Sequence, residues 1–265
     1  MLNFDHHLPE VQLVKDRHPF IVNRCTGKTV LHIGCVDAGL LEERFASGEL
    51  LHKKLNDTAA LLFGIDIDVD GLNTLRSYGY SNLFAFDLTA DETPAALQDQ
   101  KFDIIILSEI LEHLPNPGRM LERLKDFMEP GQSQLIISVP NAFSVSNVLN
   151  MTRNVEHVHP DHNYYFSFVK LNNTLKKSGF NIAERFVYIF DTETLPNKIL
   201  NRIFAFDGTQ PRKLQSPGLT RRLYWRYRRN GAKKLLIDIP NMFLSATLLR
   251  RSSWWGDGLI AVCIL

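Results

Sequence analysis

Short apolar segments alternate with segments of helical periodicity through most of this 265-residue chain. Apolar runs of strand length that are separated by helices are typical of a parallel sheet with helices on both faces. The pattern therefore predicts an α/β fold. The predicted strands are residues 29–34, 60–66, 82–87, 102–108, 133–140, 181–190 and 258–265, and the predicted helices are 40–55, 70–78, 94–98, 117–128 and 167–179.

A long segment, residues 191–255, separates the sixth predicted strand from the last one. It is too long for a hairpin loop and too rich in Leu, Phe and Arg for a slack linker. Its stretch IPNMFLSATLLRR is amphipathic and suits the edge of a cleft. We interpret the segment as a helical insertion, which would act as a substrate lid, within a single domain of residues 1–265.

The start of the chain, its apolar runs and its cysteines predict the cellular compartment. The start, MLNFDHHLPE, lacks the basic and apolar regions of a signal peptide, and no apolar run reaches the roughly 18 residues of a membrane span. The cysteines, three in number and widely spaced, argue against a disulfide framework or a zinc site. We expect a soluble protein in the reducing cytoplasm.

Basic residues are concentrated in one segment. Residues 212–234 hold nine Lys or Arg and no Asp or Glu, although the formal net charge of the chain is only +1. Aromatic residues are interleaved with the arginines, which suits phosphates, nucleic acid or an anionic membrane surface. A solvated helix face is the alternative that we favour, so nucleic acid is not the expected partner.

Polar residues follow several of the predicted strands at the point where each strand ends. Gly34 ends the first strand, Asp66 the second, Asp87 the third and Ser108 the fourth. Ligands of open α/β sheets bind beyond the carboxyl ends of the strands. Asp66 is the candidate for binding both ribose hydroxyls, Asp68 for capping the next helix, and Asp87 for the exocyclic amine of an adenine.

The order VLHIGC, GIDID, FAFDL, FDIIILSEILEHLPNP and LIISVPN resembles class I S-adenosylmethionine-dependent methyltransferases. The resemblance is strongest to the group related to ubiquinone-biosynthesis O-methyltransferases and to methyltransferases of secondary-metabolite and surface-polysaccharide pathways. The resemblance covers residues 28–190 and returns in the last strand. It implies a Rossmann-like sheet of seven strands, with the last strand antiparallel beside the fifth, and S-adenosylmethionine as cofactor. It also implies that Gly34 lies at the methionine moiety, Asp66 at the ribose, Asp87 and Leu88 at the adenine, and Ser108 and Glu109 on the other side. The full set of expected cofactor-binding residues is Gly34, Cys35, Asp37, Gly39, Asp66, Ile67, Asp87, Leu88, Ser108 and Glu109.

The first loop departs from the family pattern. His32 replaces the usual acid of the first strand, and Val36 and Ala38 replace glycines. A side chain at position 36 narrows the approach to the cofactor unless the backbone there has a negative φ. Asp37, as a partner of the methionine amino group, and Gly39 compensate for the change. We therefore expect an altered cofactor loop.

A histidine-rich segment, EHVHPDHNYYFS, follows the fifth strand and is expected over the acceptor side of the cleft. His159 and His162 are the candidates for a catalytic base, with Asp161 as the orienting partner. In the alternative interpretation the histidines only fix the shape of the loop. The residues Tyr164, Tyr165 and Phe166 are expected to form an apolar wall.

A metal site is a further alternative. Glu109, Glu112, His113 and a distant Asp-His pair resemble the metal ligands of small-RNA 2′-O-methyltransferases. The SEILEHL motif also occurs in metal-free relatives, so we expect no metal ligands.

The predicted function is methyl transfer from S-adenosylmethionine to a hydroxyl of a small molecule or carbohydrate. The alternatives are a metal-dependent RNA 2′-O-methyltransferase and a non-catalytic binding module that has lost the cofactor.

Overall fold

A computed structural model describes residues 5–90, 92–151, 154–189 and 252–265. The basic segment 212–234 and all but the last four residues of the expected insertion, 191–255, lie outside this part of the chain. Those last residues include a single 3-10 turn at Ser253–Trp255. Among the described residues, no helix combines the length and the apolar character that crossing a bilayer would need.

In the part of the chain that the structure describes, eight strands form one mixed sheet in the order β1-β7-β8-β6-β5-β2-β3-β4. Strand β8 pairs antiparallel with β6 and β7, and every other described pair is parallel. The seven predicted strands and the antiparallel last strand are thus confirmed. The strands are β1 (Gln12–Val14), β2 (Thr29–Ile33), β3 (Leu61–Asp66), β4 (Leu83–Ala85), β5 (Ile104–Ser108), β6 (Gln134–Pro140), β7 (Asn181–Tyr188) and β8 (Gly258–Ile264).

Helices cover both faces of the sheet, as expected. They are α1 (Arg17–Cys25), α2 (Leu41–Ser47), α3 (Leu51–Asn56), α4 (Val69–Ser77), α5 (Pro117–Leu124), α6 (Val145–Met151) and α7 (Phe168–Lys177). The side chains of β5 alternate between the two sides: Ile105 and Leu107 pack in the cluster with α5 and α7, and Ile104 and Ile106 in the cluster with α1 and α3. This alternation has the two-residue period of a strand buried on both faces.

Some predicted bounds were wrong. The helix predicted at 40–55 is two helices, because Gly48 adopts a left-handed φ of 75° and ends α2. The segment 94–98 forms turns instead of a helix. The helix predicted at 117–128 changes to a 3-10 turn, Lys125–Phe127, after Leu124. The eighth strand, β1, was missed because it has three residues and no buried side chain.

A pair of histidines is buried between β2 and α3. The Nδ1 atoms of His32 and His52 lie 3.3 Å apart, and their rings are stacked. A hydrogen bond between two ring nitrogens needs one donor and one lone pair, which two neutral imidazoles supply. Burial lowers the pKa of His52 to about 4, and burial together with the neighbouring His52 lowers the pKa of His32. The replacement for the usual acid of β2 is therefore an uncharged core residue.

The buried His52 predicts a loss of stability in acid. Its pKa is about 6.5 in the unfolded chain and lower in the folded one, so its contribution is complete above that pH and is lost as the pH falls toward 4. The size of the loss for His52 is roughly 3 kcal/mol. Substituting His52→Leu should flatten the decline of the unfolding free energy between about pH 7 and pH 4.5, measured by urea denaturation. The exposed His157→Gln should leave the decline as it is, and an unchanged slope in His52→Leu would contradict the assignment.

A second prediction concerns Val36, whose side chain packs against α4 at Gly71. A Cβ at Gly71 would collide with Val36 Cγ1. Overpacking costs about 1–3 kcal/mol, more than the helix propensity of about 1 kcal/mol that alanine adds. We expect Gly71→Ala to lower the thermal midpoint and Val36→Ala in the same chain to restore most of it.

The control for this pair is Gly118→Ala in α5, where an added methyl group meets Asn116 Oδ1 at an ordinary 3.5 Å. That variant should keep or raise the wild-type midpoint, because alanine adds helix propensity there without a collision. A stable Gly71→Ala variant, or a double variant without recovery, would show that Val36 and Gly71 are not in steric contact.

Candidate active site

The loop after β2 has a backbone that only some residues accept. Gly34 has a φ of 72°, Asp37 of 60° and Gly39 of 79°, all in the left-handed region. The N–H of Gly34 donates to the carbonyl of Ile65 at 2.8 Å, and a Cβ at Gly34 would collide with the side chain of Ile110. Glycine is therefore required at position 34 by both its φ and its surroundings.

Val36 does not block this loop. Its φ and that of Ala38 lie outside the left-handed region, so neither position needs glycine. The Val36 side chain is buried in a cluster with Leu72, Leu75 and other apolar residues behind the loop. The Val36 side chain therefore lies in the apolar cluster and does not cause the expected narrowing of the approach to the loop.

Asp66 ties the tip of β3 to this loop. Its carboxylate accepts hydrogen bonds from the N–H of Val36 at 2.8 Å and from the N–H of Asp68 at 3.0 Å. Burial raises the pKa of Asp66, opposed by the backbone N–H groups of Val36, Asp68 and Ile67. A carboxylate has about four lone-pair positions, so it keeps acceptor capacity for a ligand.

The residues next to Asp66 take two different roles. Asp68 caps α4 by accepting from the N–H of Gly71 at 3.0 Å, as its sequence position predicts. Ile67 is 75% exposed, which leaves an apolar side chain at the carboxyl edge of the sheet without cover from the described residues. Cys35, by contrast, is fully buried, and burial raises the pKa of its thiol. Only the backbone of Cys35 therefore remains for a ligand.

The residues expected at the adenine lie after β4. The carboxylate of Asp87 accepts from the N–H and the hydroxyl of Thr89, both at 2.7 Å. The side chain of Leu88 is buried in the main core, and its carbonyl accepts from Arg123. Asp87 thus shapes the turn after β4, and its role toward a ligand stays a prediction.

A polar network marks the end of β5. Glu109 has a φ of 54°, which is unusual for a residue with a side chain. Its Oε1 accepts from the hydroxyl of Ser138 at 2.9 Å and from Tyr188 at 3.0 Å. The hydroxyl of Ser108 is 2.9 Å from that of Ser138. Backbone strain of this kind clusters at functional sites, and the roles of Ser108 and Glu109 toward a cofactor stay predictions.

Three members of this network, Ser138, Tyr188 and Arg17, were not predicted from the sequence. Arg17, at the start of α1, is 3.9 Å from the Glu109 carboxylate and 3.4 Å from the hydroxyl of Tyr188. Burial lowers the pKa of Arg17, but the charges of Glu109, Tyr188 and Asp37 raise it by more, so the net direction is up. Asp37 itself pairs with Arg44 of α2. The only sequence signal for Arg17 is its place after the helix cap Asp16.

Three imidazoles meet beside this network. The ring of His162 is 4.4 Å from that of His113 and 5.4 Å from that of His159, centroid to centroid. Burial lowers the pKa of His113 and of His162, and the neighbouring imidazoles lower both further. Asp161 Oδ2 is 3.7 Å from His159 Nδ1. The predicted catalytic residues are therefore adjacent, and His113 joins them.

The remaining predictions for this segment have mixed outcomes. Phe166 is buried in the core, whereas Tyr164 and Tyr165 are exposed, so the expected apolar wall is not formed by all of them. Glu112 is fully buried, and neither of its carboxylate oxygens has a hydrogen-bond partner among the described residues. Burial, and then the charge of Glu109, raises the pKa of Glu112 to about 8.

Comparison with known proteins places the chain in a family. The sequence model of the family described as "Methyltransferase domain" matches residues 4–185. The chain is 33% identical over 108 residues to the ubiquinone biosynthesis O-methyltransferase of Paraburkholderia phymatum, and 27% identical over 106 residues to that of Coxiella burnetii. These matches cover 40% of this chain in both cases and 42% and 41% of the relatives, so the chain spans about two fifths of the length of the curated relatives it matches.

Two solved structures share the fold. A SAM-dependent methyltransferase from Archaeoglobus fulgidus superposes with a TM-score of 0.51 at 18% identity, covering 94% of this chain and 91% of that one. The small RNA methyltransferase HEN1 superposes with a TM-score of 0.51 at 15% identity, covering 98% of this chain and 27% of that one. With the family match over residues 4–185 and the sheet order described above, this chain belongs to the class I S-adenosylmethionine-dependent methyltransferases.

Proposed function

We propose that this protein transfers a methyl group from S-adenosylmethionine to a hydroxyl of a small-molecule or carbohydrate acceptor. The observation that carries the proposal is the bond from the Val36 N–H to the Asp66 carboxylate, which brings the glycine loop and the acidic tip of β3 together. The turn after β5 lies over the same loop, because Ile110 contacts the Cα side of Gly34. The histidine cluster begins three residues further on, at His113.

The residues of this edge fit the parts of S-adenosylmethionine. Asp66 has acceptor capacity for the ribose hydroxyls, and the exposed Ile67 offers an apolar surface to the adenine, with Asp87 and Leu88 in the turn after β4. Arg17 and Asp37 bring opposite charges close together, which suits an amino-acid group that carries a carboxylate and an ammonium. Gly34, Cys35 and Gly39 contribute backbone, and Ser108 and Glu109 line the opposite side.

The chain's own part in the reaction is alignment and proton transfer. The bound cofactor supplies a methyl group attached to a positively charged sulfur. The acceptor oxygen takes this methyl group, and the sulfur leaves as a neutral thioether. The protein must hold the acceptor in line with the S–CH₃ bond and exclude water. His162, which is half-buried, and His159 are the proposed groups that take the hydroxyl proton, and Asp161 orients His159.

The identity of the acceptor is inferred from the relatives. The names of the curated relatives refer to O-methylation in ubiquinone biosynthesis, which supports a hydroxyl on a small organic molecule. The segment 191–255 is proposed as the lid that selects this acceptor, because such segments vary most on a common scaffold. The three cysteines are buried and unpaired, which supports a reducing cytoplasm as the compartment.

Substitution of Asp66 tests the cofactor site. Asp66→Ala removes the charged hydrogen bonds to two ribose hydroxyls, each worth about 1.5–3 kcal/mol, so the Kd for S-adenosylmethionine should rise by about 100-fold or more. Titration calorimetry measures this change. The control is Asp70→Ala, an exposed acid in the first turn of α4. An Asp66→Ala variant with normal affinity would refute the ribose role. If the wild-type protein itself does not bind S-adenosylmethionine, the proposed function is refuted and the non-catalytic binding module is the remaining interpretation.

Substitution of His162 tests the acceptor side. His162→Ala should keep the affinity for S-adenosylmethionine and slow turnover by about 100-fold or more, the usual worth of a proton-transfer group. The assay follows release of S-adenosylhomocysteine with a panel of phenols, sugars and short RNAs. His157→Ala, five residues away and exposed, serves as the matched control. Full turnover by His162→Ala would exclude the histidine, and RNA as the preferred acceptor, bound with steep salt dependence, would exclude a small molecule.

A further inference from the structure

The three imidazoles of His113, His159 and His162 form a compact group. One ring nitrogen of each lies within 4.8 Å of the corresponding nitrogens of the other two. Within the described ranges, no other three His, Cys, Asp or Glu side chains bring potential ligand atoms into such a group. Glu109 and Glu112 are not members of it, so this cluster differs from the carboxylate-rich set considered from the sequence.

Backbone and side-chain hydrogen bonds hold the two segments of the cluster together. The N–H groups of Asn163 and Tyr164 donate to the carbonyl of Glu112, at 2.8 and 3.2 Å. The side-chain amide of Asn163 donates to the carbonyl of His113 at 2.7 Å, and the hydroxyl of Tyr164 donates to the carbonyl of Pro115 at 3.1 Å. The histidines therefore face one another because of protein contacts, without any help from a ligand.

Asp161 contacts two of the three rings from outside. Its carboxylate lies 3.7 Å, and its N–H 3.3 Å, from Nδ1 of His159. The ring of His113 hydrogen-bonds to the backbone of Asp161. Metal-bound histidines usually donate their second N–H to a carboxylate or a carbonyl, which leaves the first nitrogen for the ion. The Asp161 carboxylate can play this part for His159 when Nδ1 carries the proton, and that tautomer replaces the bond that Nδ1 accepts from the Asp161 N–H.

We propose that His113, His159 and His162 bind one divalent transition-metal ion, with Zn²⁺ as the preferred ion. Imidazole nitrogen suits Zn²⁺, Co²⁺ and Ni²⁺, whereas Mg²⁺ and Ca²⁺ select oxygen ligands. In a tetrahedral zinc site with Zn–N bonds of about 2.0–2.1 Å, the nitrogens are about 3.4 Å apart. A contraction of at most about 1.4 Å, within the reach of side-chain rotation, closes the site.

The proposed site leaves one coordination position for an oxygen. Three protein ligands with an open fourth position are the pattern of catalytic rather than structural zinc. The base role proposed above belongs to the metal-free protein. If an acceptor hydroxyl takes the open position of the metal-bound protein, the ion lowers the pKa of that hydroxyl, its proton passes to water, and the histidines serve as ligands of the ion. This consequence rests on the proposed function, whereas binding of the ion does not.

The test is metal binding by the full chain, without a histidine tag and after dialysis against a chelator. Co²⁺ is titrated while its visible absorption is recorded, and Zn²⁺ is then titrated by calorimetry and by displacement of Co²⁺. We expect one ion per chain and no competition from Mg²⁺. His113→Ala, His159→Ala and His162→Ala should each weaken binding by about 100-fold or more, and Asp161→Asn by about 10-fold.

Two controls separate the site from incidental binding. His157→Ala removes an exposed histidine of the same loop and should not change the affinity. Circular dichroism of each variant checks the fold. Absence of stoichiometric Co²⁺ binding, equal losses in His157→Ala, or full affinity in His113→Ala would each overturn the proposal.

The metal test is independent of the methyl-transfer test. Ion binding is measured without cofactor or acceptor, and the affinity for S-adenosylmethionine is measured on the metal-free protein. Zinc binding without cofactor binding would keep this site and refute the proposed function, and the reverse result would refute this site alone.

Discussion

The hydrogen bond between the Val36 N–H and the Asp66 carboxylate organises one edge of the molecule. It joins the loop after β2 to the end of β3, and the second oxygen of the same carboxylate accepts from Asp68. Asp68 in turn starts α4, whose Gly71 leaves room for the Val36 side chain. Loop, strand and helix are therefore held by one half-buried acid. Any ligand of Asp66 is coupled through it to the packing behind the loop.

The sheet was predictable because its signal is local. Each central strand buries both faces, so its apolar run is continuous, and the helices between the strands show their own period. The strand β1 and the break at Gly48 carry no comparable signal. Gln12–Val14 is too short to show alternation, and a single glycine does not reveal whether a helix ends there or continues. These details depend on neighbours that only the folded chain supplies.

The site was predictable to the extent that parallel strands end at one edge. This rule selects Asp66, Asp87 and Glu109 without knowledge of their contacts. It does not find Arg17, which reaches the edge from a helix before the first central strand, or Tyr188, which bonds to a residue 79 positions earlier. It also does not show that Val36 is accommodated by Gly71, since the two belong to different elements. Contacts between distant segments follow from topology rather than from any motif.

The position of β8 has a consequence for how the protein is made. This strand lies between β6 and β7, so both neighbours present open edges until residues 258–264 have been synthesised. Unpaired edges of central strands are prone to pairing with other chains. During translation the place between β6 and β7 therefore stays empty while residues 189–257 are added. Premature release or stalling in that interval would leave a chain that is prone to aggregate, although the five strands β2 to β6 were already available to pair with one another.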